Sequence, residues 1–121
     1  EQYIKESAEQ ICIGAAKDTE FVGFLCLKET GKDTLELAVM GVLKEYHRQG
    51  IGRGMFMMAK NIARKKRYSF LQVKTVQMGK YEDYDDTNRF YIRLGFKEFE
   101  VFPTLWDEAN PCQIYVMSVE R

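Results

Sequence analysis

Tyr46-His47-Arg48-Gln49-Gly50-Ile51-Gly52-Arg53-Gly54-Met55-Phe56 decides how the rest of the chain is read. Three glycines alternate with Ile51 and Arg53, and an apolar pattern at helical spacing begins at once. A glycine turn feeding a helix N-terminus leaves backbone N–H groups without intrahelical partners, and the helix dipole adds roughly half a positive charge there. The natural guest is an anion, most often a phosphate. Gly52 and Gly54 lack Cβ, so a diphosphate can approach the main chain, and Arg48 and Arg53 supply charged donors beside it. Two familiar phosphate binders are excluded by spacing. No Lys-Ser or Lys-Thr follows the glycines, as a P-loop requires. The order Gly50-x-Gly52-x-Gly54 is not the Gly-x-Gly-x-x-Gly of dinucleotide folds either.

Upstream of the turn, residues 10–16 and 21–28 are rich in Ile, Val, Phe, Leu and Cys and are split by Lys17-Asp18-Thr19-Glu20. They read as strand, polar turn, strand. Thr30-Gly31-Lys32-Asp33 makes a second turn and residues 34–42 a third strand, with Leu35, Leu37 and Val39 on one face. Short turns between sequential strands imply an antiparallel meander. Residues 1–9 are polar and give no strand.

Downstream, Met55, Phe56, Ala59, Ile62 and Ala63 make an apolar stripe for a helix running to about Lys66. Arg64-Lys65-Lys66-Arg67 closes it, where cations complement the helix dipole. Residues 68–76 form a strand with Leu71, Val73 and Thr75 facing one way. Strand, helix, strand demands a right-handed crossover, so the strands at 34–42 and 70–76 should be parallel neighbours. Asp85-Asp86-Thr87 caps a second helix at about 84–94, with Phe90, Tyr91 and Leu94 inward and Gly95 stopping it. Residues 96–102 are a strand, 103–111 a loop carrying Leu105 and Trp106, and 113–119 the last strand. The result is a single α/β (α+β) domain over residues 1–121 with a mixed sheet, in the order βββ-α-β-α-ββ.

Composition narrows the function. The 121 residues are enough for one core but not for two, and 45% are hydrophobic. Eighteen basic residues balance 18 acidic ones, which argues against a dedicated nucleic-acid binder or a basic membrane-surface protein. There is no apolar run of membrane-spanning length and no signal peptide. Cys12, Cys26 and Cys112 are widely spaced, with no Cys-x-x-Cys, and read as reduced thiols in a cytoplasmic protein with no metal site.

Gln49-Gly50-Ile51-Gly52-Arg53-Gly54 fits Gln/Arg-x-x-Gly-x-Gly/Ala, and here the chain resembles the GNAT superfamily of N-acetyltransferases. Asn88-Arg89-Phe90-Tyr91-Ile92-Arg93-Leu94-Gly95-Phe96 resembles the same family's Phe/Leu-Tyr-x-x-x-Gly-Phe segment. The resemblance covers nearly the whole chain from about residue 10, and leaves out the strand and helical hairpin that usually come before. That hairpin normally walls the acceptor site. A chain without this front edge exposes a strand, which allows a homodimer.

The resemblance implies acetyl-CoA as cosubstrate, with its diphosphate on Arg48, Gln49, Gly50, Ile51, Gly52, Arg53 and Gly54. Its pantetheine arm would lie along Met40-Gly41-Val42, where a strand glycine suits close backbone approach. It implies direct acetyl transfer to a primary amine of a small molecule or protein, with Tyr91 protonating the departing thiolate. Asn88 could bond the cofactor amide, although the family's usual asparagine position is occupied by Tyr84. Relatives often carry a glutamate where this chain has Gln72, which leaves Glu36 as the candidate base. Trp106 and Tyr84 are candidates for the acceptor wall, and Glu82, Asp83, Asp85 and Asp86 form an acidic cluster near the expected acceptor side. Gln72 and the missing hairpin also motivate a second reading, a CoA-binding regulatory module with weak turnover.

Overall fold

A computed structural model describes residues 2–6 and 10–119. The chain forms two units of dense internal contact, one reaching Leu71 and including Val119, the other running from Gln72 to Ser118.

In the first unit four strands pair antiparallel in sequence order: β1 (Gln2–Glu6), β2 (Ile11–Lys17), β3 (Glu20–Gly31) and β4 (Thr34–Val42). The last three are the expected meander. β1 corrects the expectation that no strand precedes residue 10: it pairs with β2 from Gln2↔Ala15 to Glu6↔Ile11. Its polar composition hid it, because an edge strand is held by its ladder and needs no apolar face. No helical hairpin lies among the described residues.

Helix α1 (Ile51–Lys65) lies over β2, β3 and β4 and buries Met55, Phe56, Ala59 and Ala63. These meet Ile13, Val22, Leu25 and Leu27 in a core where each is at most 2% exposed. Burial of this stripe, at roughly 25 cal/mol per Å² of apolar surface, is what holds a helix with glycines in its first turn. Val39 departs from its expected face: Leu35 and Leu37 are buried, but Val39 is half exposed. The register slips between Cys26↔Val39 and Leu27↔Leu37, and the extra residue turns the later side chains over.

Strand β5 (Phe70–Val76) sets out from this unit. The N–H groups of Ser69 and Phe70 donate to Asp33 O at 2.8 and 3.0 Å. The start of β5 therefore lies beside the start of β4, as a parallel crossover requires.

The second unit holds the rest of β5, helix α2 (Glu82–Leu94) and strands β6 (Lys97–Asp107) and β7 (Asn110–Ser118). The strand order is β5-β7-β6, with β6 outermost and antiparallel to β7. The loop expected over 103–111 is instead mostly strand. Pro103 has no N–H to give a ladder, but an edge strand tolerates that. A tight turn closes the hairpin, with the Asp107 carboxylate accepting from the Asn110 N–H and Nδ2, both at 2.9 Å. Helix α2 starts at Glu82, earlier than Asp85-Asp86-Thr87 suggested, with Tyr81 as its N-cap and no side-chain cap. Asp85 Oδ1 accepts from the Gly79 N–H at 2.7 Å and so ties down the preceding loop. Gly95, at φ 109°, ends the helix in the left-handed region as expected. The α+β class and the element order hold, with one strand added in front.

Candidate active site

The connection from β4 to α1 is braced at every step. Leu43 N–H donates to Val22 O at 2.8 Å, and a 3₁₀ turn follows at Lys44–Tyr46. His47 Nε2 lies 2.8 Å from Val42 O; a carbonyl only accepts, so this nitrogen carries the proton. Gln49 is held from both ends. Lys17 Nζ donates to its Oε1 at 2.9 Å, and its Nε2 donates to Glu45 O at 3.2 Å. The Gln49 side chain is therefore part of the brace, and Lys17, which no motif singled out, clips the turn to the β2–β3 hairpin. Tyr46 adds a second clip by donating to Glu20 Oε1 at 2.9 Å.

Arg48 and Gly50 take left-handed backbone at φ 64° and 81°, and Gly50 is the N-cap of α1. A side chain at Gly50 would meet nothing within 4 Å, so its glycine serves conformation rather than space. The first intrahelical bond runs from Gly54 N–H to Gly50 O at 2.9 Å. The N–H groups of Ile51, Gly52 and Arg53 are thus left over, with no side-chain cap and no acidic residue in the first turn. Glycine inside a helix costs roughly 1 kcal/mol relative to alanine, so Gly52 and Gly54 are not there for helix stability. Helix α1 meets β3 at Gly23, where a Cβ would lie 3.2 Å from Met55 Cε and 3.4 Å from Ile51 Cγ2. An open cleft of about 450 Å³ lies beside this start, lined by Ala15, Ala16, Lys17, Val22 and residues 49–51.

At the end of β4, the bare Cα of Gly41 faces the Phe24 ring across the ladder, and a Cβ there would come within 2.8 Å of Phe24 Cε1. The close approach expected of this glycine is thus used on one face by Phe24. Met40 and Val42 flank it, both half-buried. Glu36 is only 7% exposed, so it is not the ordinary solvent-facing strand residue.

In the second unit Tyr91 is buried among aromatic rings, with centroids of Phe90, Phe96 and Tyr115 at 5.8, 5.7 and 6.4 Å. Burial pushes its hydroxyl up to about 12, and among the described residues that hydroxyl has no hydrogen-bond partner. Asn88, which the resemblance offers to the cofactor amide, is fully buried. Its Nδ2 donates to Val76 O at 2.9 Å and to Tyr84 O at 2.6 Å, while its Oδ1 accepts from the Tyr115 hydroxyl at 2.6 Å. The amide joins α2 to β5 and β7, and both of its N–H donors are used in doing so. Asn88→Ala should leave the Val76 carbonyl and the Tyr115 hydroxyl without this partner and cost about 3 kcal/mol. A lower urea midpoint with an unchanged slope would register this; an unchanged midpoint would refute it.

Tyr84 and Trp106 are both nearly half exposed, on α2 and β6. Tyr84 meets Tyr81 edge-on at 5.9 Å. Glu82, Asp83 and Asp85 of the acidic cluster lie in the first turn of α2, where carboxylates complement the dipole, and Asp86 pairs with Arg89 at 2.6 Å. Sequence reasoning passed over Tyr115, and also Thr75, whose buried hydroxyl finds no partner among the described residues. Tyr115 could have been suspected from Asn88, a polar residue one helical turn before Tyr91 on the inward stripe. Among the described residues, no group of three or more His, Cys, Asp or Glu could hold a metal ion.

A glycine turn opening a helix behind an antiparallel meander, followed by a strand, a second helix and a hairpin, is the build of an acetyltransferase domain. The family model "Acetyltransferase (GNAT) domain" matches residues 8–98, and the chain belongs to this family. Solved structures agree in fold. Nourseothricin acetyltransferase aligns at TM-score 0.82 and 18% identity, covering 93% of this chain and 67% of that one. The aminoglycoside 6'-N-acetyltransferase of Enterococcus faecium gives 0.79 and 18%, covering 95% and 76%. A GNAT family acetyltransferase from Elizabethkingia anophelis, with acetyl-CoA bound, gives 0.76 and 18%, covering 91% and 76%. Among curated proteins none matches the sequence.

Proposed function

We propose that this chain is an acetyl-CoA-dependent N-acetyltransferase that moves the acetyl group directly to a primary amine of a small molecule or protein. One observation carries the reading: a GNAT-family chain presents three helix-start amides, at Ile51, Gly52 and Arg53, with no side-chain cap and no carboxylate in the first turn. These amides, with Arg48 and Arg53, suit a diphosphate. Met40, Gly41 and Val42 would offer main-chain groups to the pantetheine arm, on the side that Phe24 leaves open.

Transfer from a thioester needs a neutral amine, a stabilised oxyanion and a proton for the departing thiolate. Tyr91 is assigned as the acid, because its buried hydroxyl keeps its proton at any ordinary pH. Glu36 is assigned as the base, acting directly or through water, and Trp106 and Tyr84 as part of the acceptor wall. Asn88 is reassigned from ligand to brace.

Calorimetric titration with acetyl-CoA, followed by a thiol-release assay over a panel of amines, tests this. Saturable binding with amine-dependent release of CoA is expected. Absence of binding would remove the reading. Binding without transfer to any amine would favour a CoA-binding regulatory module, the alternative that Gln72 motivates.

A further inference from the structure

Cys12 and Cys26, 14 residues apart, are brought face to face by the antiparallel pairing of β2 and β3, as direct register partners. Opposite residues in such a ladder have Cα atoms about 4.5–5.5 Å apart, within the range a disulfide spans. Their Sγ atoms lie 2.6 Å apart, so bond formation at about 2.05 Å needs a closure of only about half an ångström. Both side chains are half-buried. They alternate with Ile11, Ile13, Leu25 and Leu27, which are buried, and so point to the opposite face of the sheet. Val39, the register partner of Cys26 on β4, is half exposed, which leaves that face open to a small reagent. Cys112, by contrast, is fully buried.

We propose that Cys12 and Cys26 are a redox modification site, a dithiol that closes to a cross-strand disulfide on exposure to a small-molecule disulfide and reopens with a thiol. In the step, one cysteine sulfur attacks the reagent and expels one of its halves as a thiolate. The second cysteine then displaces the other half, and the S–S bond joins β2 to β3. Two protein thiols are oxidised, one disulfide is reduced to two thiols, and the two protons end on those. Burial, and then the hydrogen bond to Cys12, push the Cys26 thiol up to about 11. The bond would fasten together two of the strands on which α1 rests.

The chain is equilibrated in buffers of graded oxidised-to-reduced glutathione, denatured with iodoacetamide present, and digested with trypsin without reductant. The cysteines fall in separate tryptic peptides, 6–17 and 18–28. The expected result is a joined peptide lighter by two hydrogens than the pair, loss of alkylation at both, continued alkylation of Cys112, and reversal by dithiothreitol. The oxidised protein should also show about a hundredfold smaller unfolded fraction in urea, for a loop of roughly 15 residues. Cys26→Ser should abolish that shift and leave glutathione on Cys12. Separate alkylation of Cys12 and Cys26 at every ratio, or glutathione on each with no joined peptide, would overturn the proposal. Joining only in protein already unfolded by urea would overturn it too.

Discussion

Gly52→Asp should weaken acetyl-CoA binding by about a hundredfold while leaving the protein at least as stable as before. The two effects have opposite signs because Gly52 sits in the first turn of α1. For the helix alone, aspartate there is an improvement. It removes a glycine and sets a negative charge against the positive end of the dipole, for a gain of about 0.3–1 kcal/mol. For a diphosphate on the same amides it is a direct repulsion. One unit charge about 5 Å from another, at an effective dielectric of about 20, opposes binding by about 3 kcal/mol, which is more than a hundredfold in Kd. Thermal denaturation and calorimetric titration of the same sample read both terms. A variant that melts higher and binds acetyl-CoA as tightly as the parent would show that the turn holds no phosphate. Gly52→Ala, which adds no charge, should keep most of the affinity and guards against a purely steric loss.

The parts of the molecule that were legible in the sequence are those fixed by neighbours along the chain. The glycine turn, the α1 stripe and the stop at Gly95 all depend on local backbone preference or helical periodicity, and each stands where expected. What escaped depends on a partner elsewhere. β1 exists because β2 offers it a ladder, and β6 continues through Pro103 because its outer edge needs no donor there. Val39 turned over because β3 and β4 slip against each other near Cys26, which no alternation within β4 foretells. Asn88 is the clearest case at the site. The resemblance offered it to the cofactor amide; its partners within the fold are carbonyls of Val76 and Tyr84 and the hydroxyl of Tyr115. A buried amide inside an apolar stripe is as much a packing element as a leucine, provided every polar atom is matched. The cysteines teach the same lesson, since wide spacing in sequence says nothing about two strands that fold back on each other.

Tyr91→Phe separates the two roles open to that residue. The ring is held by Phe90, Phe96 and Tyr115, and phenylalanine keeps all three contacts. The hydroxyl has no partner among the described residues, so its loss orphans nothing. A purely structural Tyr91 would therefore leave both stability and rate unchanged at neutral pH. As the acid for the departing thiolate, its loss should lower kcat by about 10²–10³ with little change in the KM for acetyl-CoA. Burial has pushed the hydroxyl up to about 12, which keeps the proton in place but makes it harder to give away. A thiolate leaving into similarly apolar surroundings is made more basic for the same reason, so donor and acceptor rise together. The same burial has a signature in stability. Below pH 10 the folded and unfolded chains both hold this proton. Between pH 10 and 12 the unfolded chain releases it and the folded chain does not, so stability falls as pH rises through that window. The parent should lose about 2–3 kcal/mol more than Tyr91→Phe over that interval. Urea denaturation at pH 8, 10 and 12 measures the difference; parallel loss in both proteins would mean that Tyr91 is not the buried proton holder, and an unchanged kcat would remove it from the chemistry.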